Sequence, residues 1–170
     1  MSCLKKCGAP SIEELRQSPG FPCKEEYKLG NIAVIECVEQ IPCNPCETSC
    51  PKGAISIGNP ITNLPTIDLT KCSGCGTCVA KCPGIAIHMM NLNYNDEEAL
   101  ITIPYEYLPL PEVEDKVTLV DRLGNEVCEG RIVNVTSIKS YDLTTLIKIA
   151  FEKKYYEDVI SIKRLKTEAS

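Results

Sequence analysis

Twelve of the 170 residues are cysteine, and most of them lie between positions 37 and 82. Four form a C-x2-C-x2-C-x3-C run that ends directly before Pro83, namely Cys72, Cys75, Cys78 and Cys82. Thiolates at this spacing wrap one face of an iron–sulfur cubane, and the fourth cysteine of the run ligates the other cluster where two are present. The spacing therefore predicts iron–sulfur chemistry and requires a second run.

An altered copy of this run precedes it along the chain. Three cysteines of the altered copy match the later run at a constant offset of 32 residues: Cys43 with Cys75, Cys46 with Cys78, and Cys50 with Cys82. The position that matches Cys72 is Gln40, and Cys37 lies three residues before Gln40. A longer loop lets Cys37 take the place of the missing ligand. The chain thus contains a twofold internal repeat.

We predict two [4Fe-4S] clusters whose ligands are crossed between the two copies. Cluster one takes Cys37, Cys43, Cys46 and Cys82. Cluster two takes Cys50, Cys72, Cys75 and Cys78. If Cys37 does not reach, the first site becomes a [3Fe-4S] centre held by three cysteines.

Other uses of the cysteines fit the pattern less well. Disulfides belong to oxidising compartments, and the N-terminus lacks the apolar block of an export signal. Four-thiolate zinc sites also use C-x2-C pairs, but such a site does not require a repeated run of four cysteines that ends in Cys-Pro. Cys3, Cys7 and Cys23 are candidates for a third metal site, with free thiols in an ordered tail as the alternative. Cys128 is expected to be a small core residue of a strand.

Charge and composition exclude several function classes. The formal net charge of −5 argues against a nucleic-acid partner. The single histidine, His88, is expected at the surface or beside a cluster, which leaves no convincing general base for catalysis. No apolar stretch approaches the ~18–20 residues that a bilayer crossing needs. We therefore expect a cytoplasmic, non-catalytic chain without a membrane span.

The pattern along the chain predicts four regions and an α+β fold. Residues 1–30 form an N-terminal arm with a short helix capped by Ser11, and residues 31–92 form a ferredoxin-like domain of the bacterial two-[4Fe-4S] type. Residues 93–112 form a linker with extended structure. Residues 113–170 alternate with period two and predict a small all-β, barrel-like domain that docks a protein partner.

Within the two-cluster domain the sequence predicts three strands, a helical turn and an apolar shield. The strands cover residues 31–36, 54–57 and 65–69, and Pro83 is expected to open the helical turn. Eight apolar side chains are expected to exclude water from the clusters: Ile41, Ile55, Ile57, Ile61, Ile67, Val79, Ile85 and Ile87.

Three stretches carry a resemblance to a known family: residues 10–22, 32–37 and 41–46. They are similar to the ferredoxin-like small subunit of multi-subunit FAD-dependent amine and amino-acid dehydrogenases, which act on substrates such as proline, hydroxyproline or sarcosine. The resemblance covers roughly residues 8–90 and, more loosely, the β-rich tail. It implies a subunit that relays electrons between flavins (FAD or FMN) bound to flavoprotein partners in a hetero-oligomer, with no flavin on this chain.

Two other functions stay open at this point. One is a free, diffusible two-[4Fe-4S] ferredoxin, and the other is a metal-stabilised interaction module without a redox role. A diffusible carrier needs little more than the cluster frame, whereas this chain adds an arm and a β-rich region. That extra bulk favours the subunit.

Overall fold

The computed structural model describes residues 3–165, which form nine strands, four short α-helices and three 3-10 helical turns. The strands are β1 (Asn31–Ile35), β2 (Ile55–Ser56), β3 (Thr66–Ile67), β4 (Ile87–Asn91), β5 (Glu98–Pro104), β6 (Lys116–Val120), β7 (Glu126–Thr136), β8 (Leu146–Glu152) and β9 (Ser161–Ile162). The helices are α1 (Cys3–Cys7), α2 (Ile12–Leu15), α3 (Pro45–Thr48) and α4 (Thr77–Lys81). The 3-10 turns are Glu26–Leu29, Lys139–Tyr141 and Lys153–Tyr155.

Seven of the strands make one antiparallel sheet in the order β1-β4-β5-β8-β7-β6-β9, and β2 pairs with β3 in a separate small sheet. Successive residues of a strand point to opposite faces, so the sheet packs against two cores. On β8, Ile147 and Ile149 lie in the larger core, whereas Leu146 lies in the smaller core that contains Cys46 and Cys78. The smaller core is the one that faces the cysteine runs.

The expected barrel-like C-terminal domain is wrong. Strands β5 to β9 extend the same sheet that begins with β1 and β4, and the sheet of the described residues stays open, with β1 and β9 at its edges. Segment 93–112, expected as a linker, contains β5, whose backbone groups pair with β4 on one side and β8 on the other. An unpaired strand edge favours such continuation, because its N–H and C=O groups need partners. The sheet also curls, since Ile32 near one edge and Ile162 at the other share the larger core.

A buried ion pair ties the two ends of the curled sheet together. Arg122, just after β6, donates from Nη2 and Nε to the two carboxylate oxygens of Glu36 at 2.6 and 2.9 Å, and from Nη1 to the Glu157 carbonyl at 2.7 Å. The Arg122 and Glu36 side chains are 14% and 8% exposed. Glu36 is also the residue before Cys37, so the bridge fixes the entry to the first cysteine run.

His88 is buried in β4, opposite Val34 of β1, and is only 5% exposed. Burial lowers its pKa to about 4, while the nearby Glu36 carboxylate opposes this shift and Arg122 adds to it. The expectation of a surface position is therefore wrong. Four successive residues of β4, 87–90, are buried, because both faces of the sheet are covered there.

The N-terminal arm packs onto the end of β1. The predicted capping box is present: Ser11 Oγ accepts from the Glu14 N–H at 3.3 Å, and Glu14 Oε2 accepts from the Ser11 N–H at 2.8 Å. Gly20 lies so close to β1 that a Cβ there would be 2.9 Å from Ile35 Cβ. Ser18 then donates from its hydroxyl to the Cys37 carbonyl at 3.1 Å. The arm thus supports the start of the first cysteine run.

Candidate metal centres

One cavity brings together four cysteines from both runs. They are Cys50, Cys72, Cys75 and Cys78. Its other walls are mainly apolar side chains of the sheet and of the small β2–β3 pair, including Ala33, Met89, Ile55 and Ile67. We call it cavity two, because it holds the thiols expected for cluster two.

A second cavity holds the complementary set of cysteines. Its cysteines are Cys37, Cys43, Cys46 and Cys82, and we call it cavity one. Ile35, Ile57 and Ile87 form its apolar wall, and Glu39 lies at its edge. The last cysteine of each run therefore faces the cavity of the other run, which is the crossed arrangement that the spacing predicts.

The thiols that raise one another's pKa fall into the same two groups. Burial raises the pKa of Cys78 to about 12, with further increases from Cys72, Cys75 and Cys50. Burial likewise raises the pKa of Cys46 to about 11, with increases from its own neighbours Cys82, Cys43 and Cys37. Without metal these two thiols hold their protons at neutral pH, so metal binding must displace them.

Short helices place the third cysteine of each run, Cys46 in α3 and Cys78 in α4. Pro83 opens a single hydrogen-bonded turn, as expected, in which the Ile85 N–H donates to the Cys82 carbonyl at 3.2 Å. No helix follows this turn. The helix α4 ends before Cys82, which has extended backbone angles (φ −74°, ψ 109°), as the residue before a proline prefers. In the first copy, α3 has Pro45 in its first turn.

The two copies hold their last cysteine in the same way. Cys50 Sγ accepts from the Ala54 N–H at 3.3 Å, and Cys82 Sγ accepts from the Ala86 N–H at 3.3 Å. Both donors stand four residues after the cysteine. Backbone N–H groups aimed at sulfur stabilise thiolate charge, which is what a ligand to an iron–sulfur cluster needs.

Cys75 has additional donors. Its sulfur lies 3.4 Å from Thr77 Oγ1, and the Thr77 N–H and the Ser73 hydroxyl also hydrogen-bond to it. Burial alone would raise the pKa of Cys75, but these hydrogen bonds together lower it. Tyr141 donates to the Cys75 carbonyl at 2.8 Å and so ties this loop to the segment before β8. Sequence reasoning missed these side chains, although the hydroxyl residues flanking Cys75 were a visible signal.

The apolar shield forms only in part. Ile55, Ile57, Val79 and Ile87 are buried and Ile67 is half-buried, as expected. The prediction is wrong for three side chains that are 44 to 54% exposed: Ile41, Ile61 and Ile85. All three belong to loops around cavity one, where the Ile61 carbonyl accepts from the Cys43 N–H at 3.5 Å.

The remaining cysteines lie apart from the two cavities. Cys3 and Cys7 share one turn of α1, where a side-chain hydrogen bond from the Cys3 thiol to Cys7 is the main cause of a raised pKa for Cys3. Cys23 lines a different surface cavity with Arg16 and Glu157. A third site on these thiols stays a prediction. Cys128 is half-buried on β7 and packs against the larger core.

Comparison with known proteins assigns the cysteine-rich part. Residues 36–86 match a family described as the 4Fe-4S dicluster domain. A subunit of an ion-translocating oxidoreductase complex from Methanosarcina acetivorans is 39% identical over 67 residues, which are 39% of this chain and 24% of the relative. The "Ferredoxin-type protein NapF" of Haemophilus influenzae is 34% identical over 61 residues, which are 35% of this chain and 35% of the relative. No solved structure gave a significant match.

The matched region contains all eight cysteines of the two cavities and ends directly before β4. The chain spans about a quarter to a third of the length of the two curated relatives. The expectation of a ferredoxin-type, [4Fe-4S] electron-transfer segment is confirmed. No helix within residues 3–165 is long and apolar enough to cross a membrane.

Proposed function

We propose that this chain is the iron–sulfur subunit of a multi-subunit FAD-dependent amino-acid or amine dehydrogenase, in which it relays electrons between flavins on its partners. One [4Fe-4S] cluster is held by Cys37, Cys43, Cys46 and Cys82, and the other by Cys50, Cys72, Cys75 and Cys78. The chain itself binds no flavin and performs no substrate chemistry.

The observation that carries the proposal is the partition of eight cysteines into two cavities of four. Each cavity is walled by apolar side chains, which exclude water, and each contains backbone N–H groups directed at a sulfur. Such surroundings set the reduction potential of a bound cluster. Cys37 lies in cavity one with three other thiols, which supports a four-ligand first cluster over a [3Fe-4S] centre.

The matched family also favours clusters over zinc, since it is described as a 4Fe-4S dicluster domain and covers all eight cysteines. A tetrahedral zinc site draws four sulfurs to within ~2.3 Å of one ion. A cubane instead presents a separate iron to each thiolate.

Two features support a subunit rather than a diffusible carrier. The relatives include a protein named as a subunit of an oxidoreductase complex. In addition, the sheet continues well beyond the cysteine-rich part, and the loop between β5 and β6 exposes Tyr107, Leu108, Leu110 and Val113. We assign the partner-docking role to this C-terminal half of the sheet, whose exposed apolar loop a lone ferredoxin would not need.

The test is anaerobic purification of the chain from its native host, followed by identification of the chains and cofactors that co-purify. We expect flavin-bearing chains, and we expect the amine or amino acid oxidised by the complex to reduce the clusters. Recovery of the loaded chain only as a monomer would support the free-ferredoxin alternative. Clusters that dithionite cannot reduce would instead support a non-redox interaction module.

A further inference from the structure

The two copies of the cysteine run differ most clearly around one pair of equivalent ligands, Cys43 and Cys75. At the offset of 32 residues, the positions of Ser73 and Thr77 are occupied by Ile41 and Pro45 in the first copy. Ile41 has no hydroxyl group, and Pro45 has neither a hydroxyl nor a backbone N–H. The donors that Ser73 and Thr77 direct at the Cys75 sulfur thus have no counterparts at those positions beside Cys43.

The charges around the two cavities differ in the same sense. Glu39 lines cavity one and places a carboxylate two residues after the ligand Cys37. Lys52 lines cavity two. Lys148 lines the adjoining cavity together with Cys75, and it makes no ion pair among the described residues.

Reduction adds one electron to a [4Fe-4S] core and takes it from the 2+ to the 1+ level. Hydrogen-bond donors to sulfur and nearby cations stabilise the added negative charge and raise the potential, whereas a nearby carboxylate lowers it. The donors and the lysines therefore raise the potential of the cluster in cavity two, whereas Glu39 lowers the potential of the cluster in cavity one. Both differences make the cluster in cavity two the easier one to reduce.

We infer that the two clusters are inequivalent, and that the cluster held by Cys50, Cys72, Cys75 and Cys78 takes up the first electron because Ser73 and Thr77 hydrogen-bond to Cys75. This inference rests on the proposed function, since it needs both clusters to be present. Ser73 and Thr77 are tuning residues that act through a ligand. In the complex, the cluster in cavity two then has the higher reduction potential and holds a single added electron. The cluster in cavity one has the lower potential and is the stronger reductant.

The test is a dye-mediated redox titration of the loaded chain, with dithionite as the electron donor and low-temperature EPR as the readout. We expect two one-electron steps in the unmodified chain. The double variant Ser73→Ala/Thr77→Val should lower the upper step and leave the lower step in place. The expected change is about tenfold in the ratio of reduced to oxidised cluster, which is ~59 mV for one electron.

The first copy provides the matched control. The reciprocal variant Ile41→Ser/Pro45→Thr should raise the lower step, and Glu39→Gln should do the same while leaving all eight cysteines in place. If the Ser73/Thr77 variant loses iron, Glu39→Gln still reports which step belongs to cavity one. A shift of the lower step in Ser73→Ala/Thr77→Val, or of the upper step in Glu39→Gln, would overturn the inference.

Failure of the inference can be told apart from failure of the proposed function. A chain that binds fewer than about eight irons fails the two-cluster assignment before any potential is measured. Full loading with the opposite order of reduction contradicts only the tuning by Ser73 and Thr77. If the clusters are reduced in the expected order but no flavoprotein partner is found, only the role in a dehydrogenase complex is contradicted.

Discussion

The crossed ligation makes a prediction that pairs of cysteine substitutions can test. Cys82 shares cavity one with Cys46, although it stands only four residues after Cys78. Removing Cys46 and Cys82 together should therefore damage one cluster and leave the other with all four thiols. Removing Cys78 and Cys82 together should damage both clusters. With two [4Fe-4S] clusters, the iron content should fall from about eight to about four in the first variant and towards zero in the second.

The assay is iron and acid-labile sulfide per chain, on anaerobically reconstituted Cys46→Ala/Cys82→Ala and Cys78→Ala/Cys82→Ala proteins. Cys128→Ala is the control, because Cys128 lies on β7 outside both cavities and its loss should leave iron unchanged. EPR of the reduced protein should show one cluster signal in the first variant and none in the second. The opposite result, with both clusters lost when Cys46 and Cys82 are removed and one kept when Cys78 and Cys82 are removed, would refute the crossing.

Three further predictions follow from the described contacts. Gly74→Ala should halve the iron content, because the φ angle of Gly74 is +68° and a Cβ there would lie 2.7 Å from a backbone oxygen of β1. The control Gly84→Ala should keep the full iron content, because a Cβ at Gly84 meets open space. Arg122→Ala leaves the Glu36 carboxylate buried and unpaired, so urea unfolding should show a loss of about 3–5 kcal/mol, and a loss below about 1 kcal/mol would contradict this. Burial lowers the pKa of His88 from 6.5 to about 4, so between these pH values the unfolded chain binds a proton that the folded chain does not. The free energy of unfolding should therefore fall as the pH drops from 6.5 to 4, by up to about 1.4 kcal/mol per pH unit. His88→Gln should flatten this slope.

The cysteine-rich part was predictable because its signals are local. The ligand spacing, the repeat offset and the Cys-Pro endings are properties of short segments, and they predict the two groups of four thiols that the structure brings together. The capping box of α2 is equally local and is present. The length of each turn was not predictable in this way, since Pro45 begins the helix α3 whereas Pro83 begins only a single hydrogen-bonded turn.

The path of the C-terminal strands depends on long-range pairing, which alternation alone does not reveal. Period-two patterning predicts a half-buried strand but not its neighbour. The chain segment 93–112 contains three prolines and suggested a linker, yet its first half pairs with both β4 and β8. The burial of His88 has the same origin, because β4 is enclosed only when β1 and β5 have paired with it.

Comparison of the two copies of the cysteine run distinguishes the features needed to bind a cluster from those that can differ between copies. Both copies keep the Cys-Pro ending, the N–H donor four residues after the last cysteine, and a left-handed residue between them, Gly53 in one copy and Ile85 in the other. A β-branched residue in that conformation costs roughly 1–2 kcal/mol, so the backbone path is retained even where the side chain opposes it. The donors around Cys75 are not retained beside Cys43. Because the geometry that holds a cluster is shared and the groups that set its potential are not, the difference between the copies is best explained by two clusters with different redox tasks.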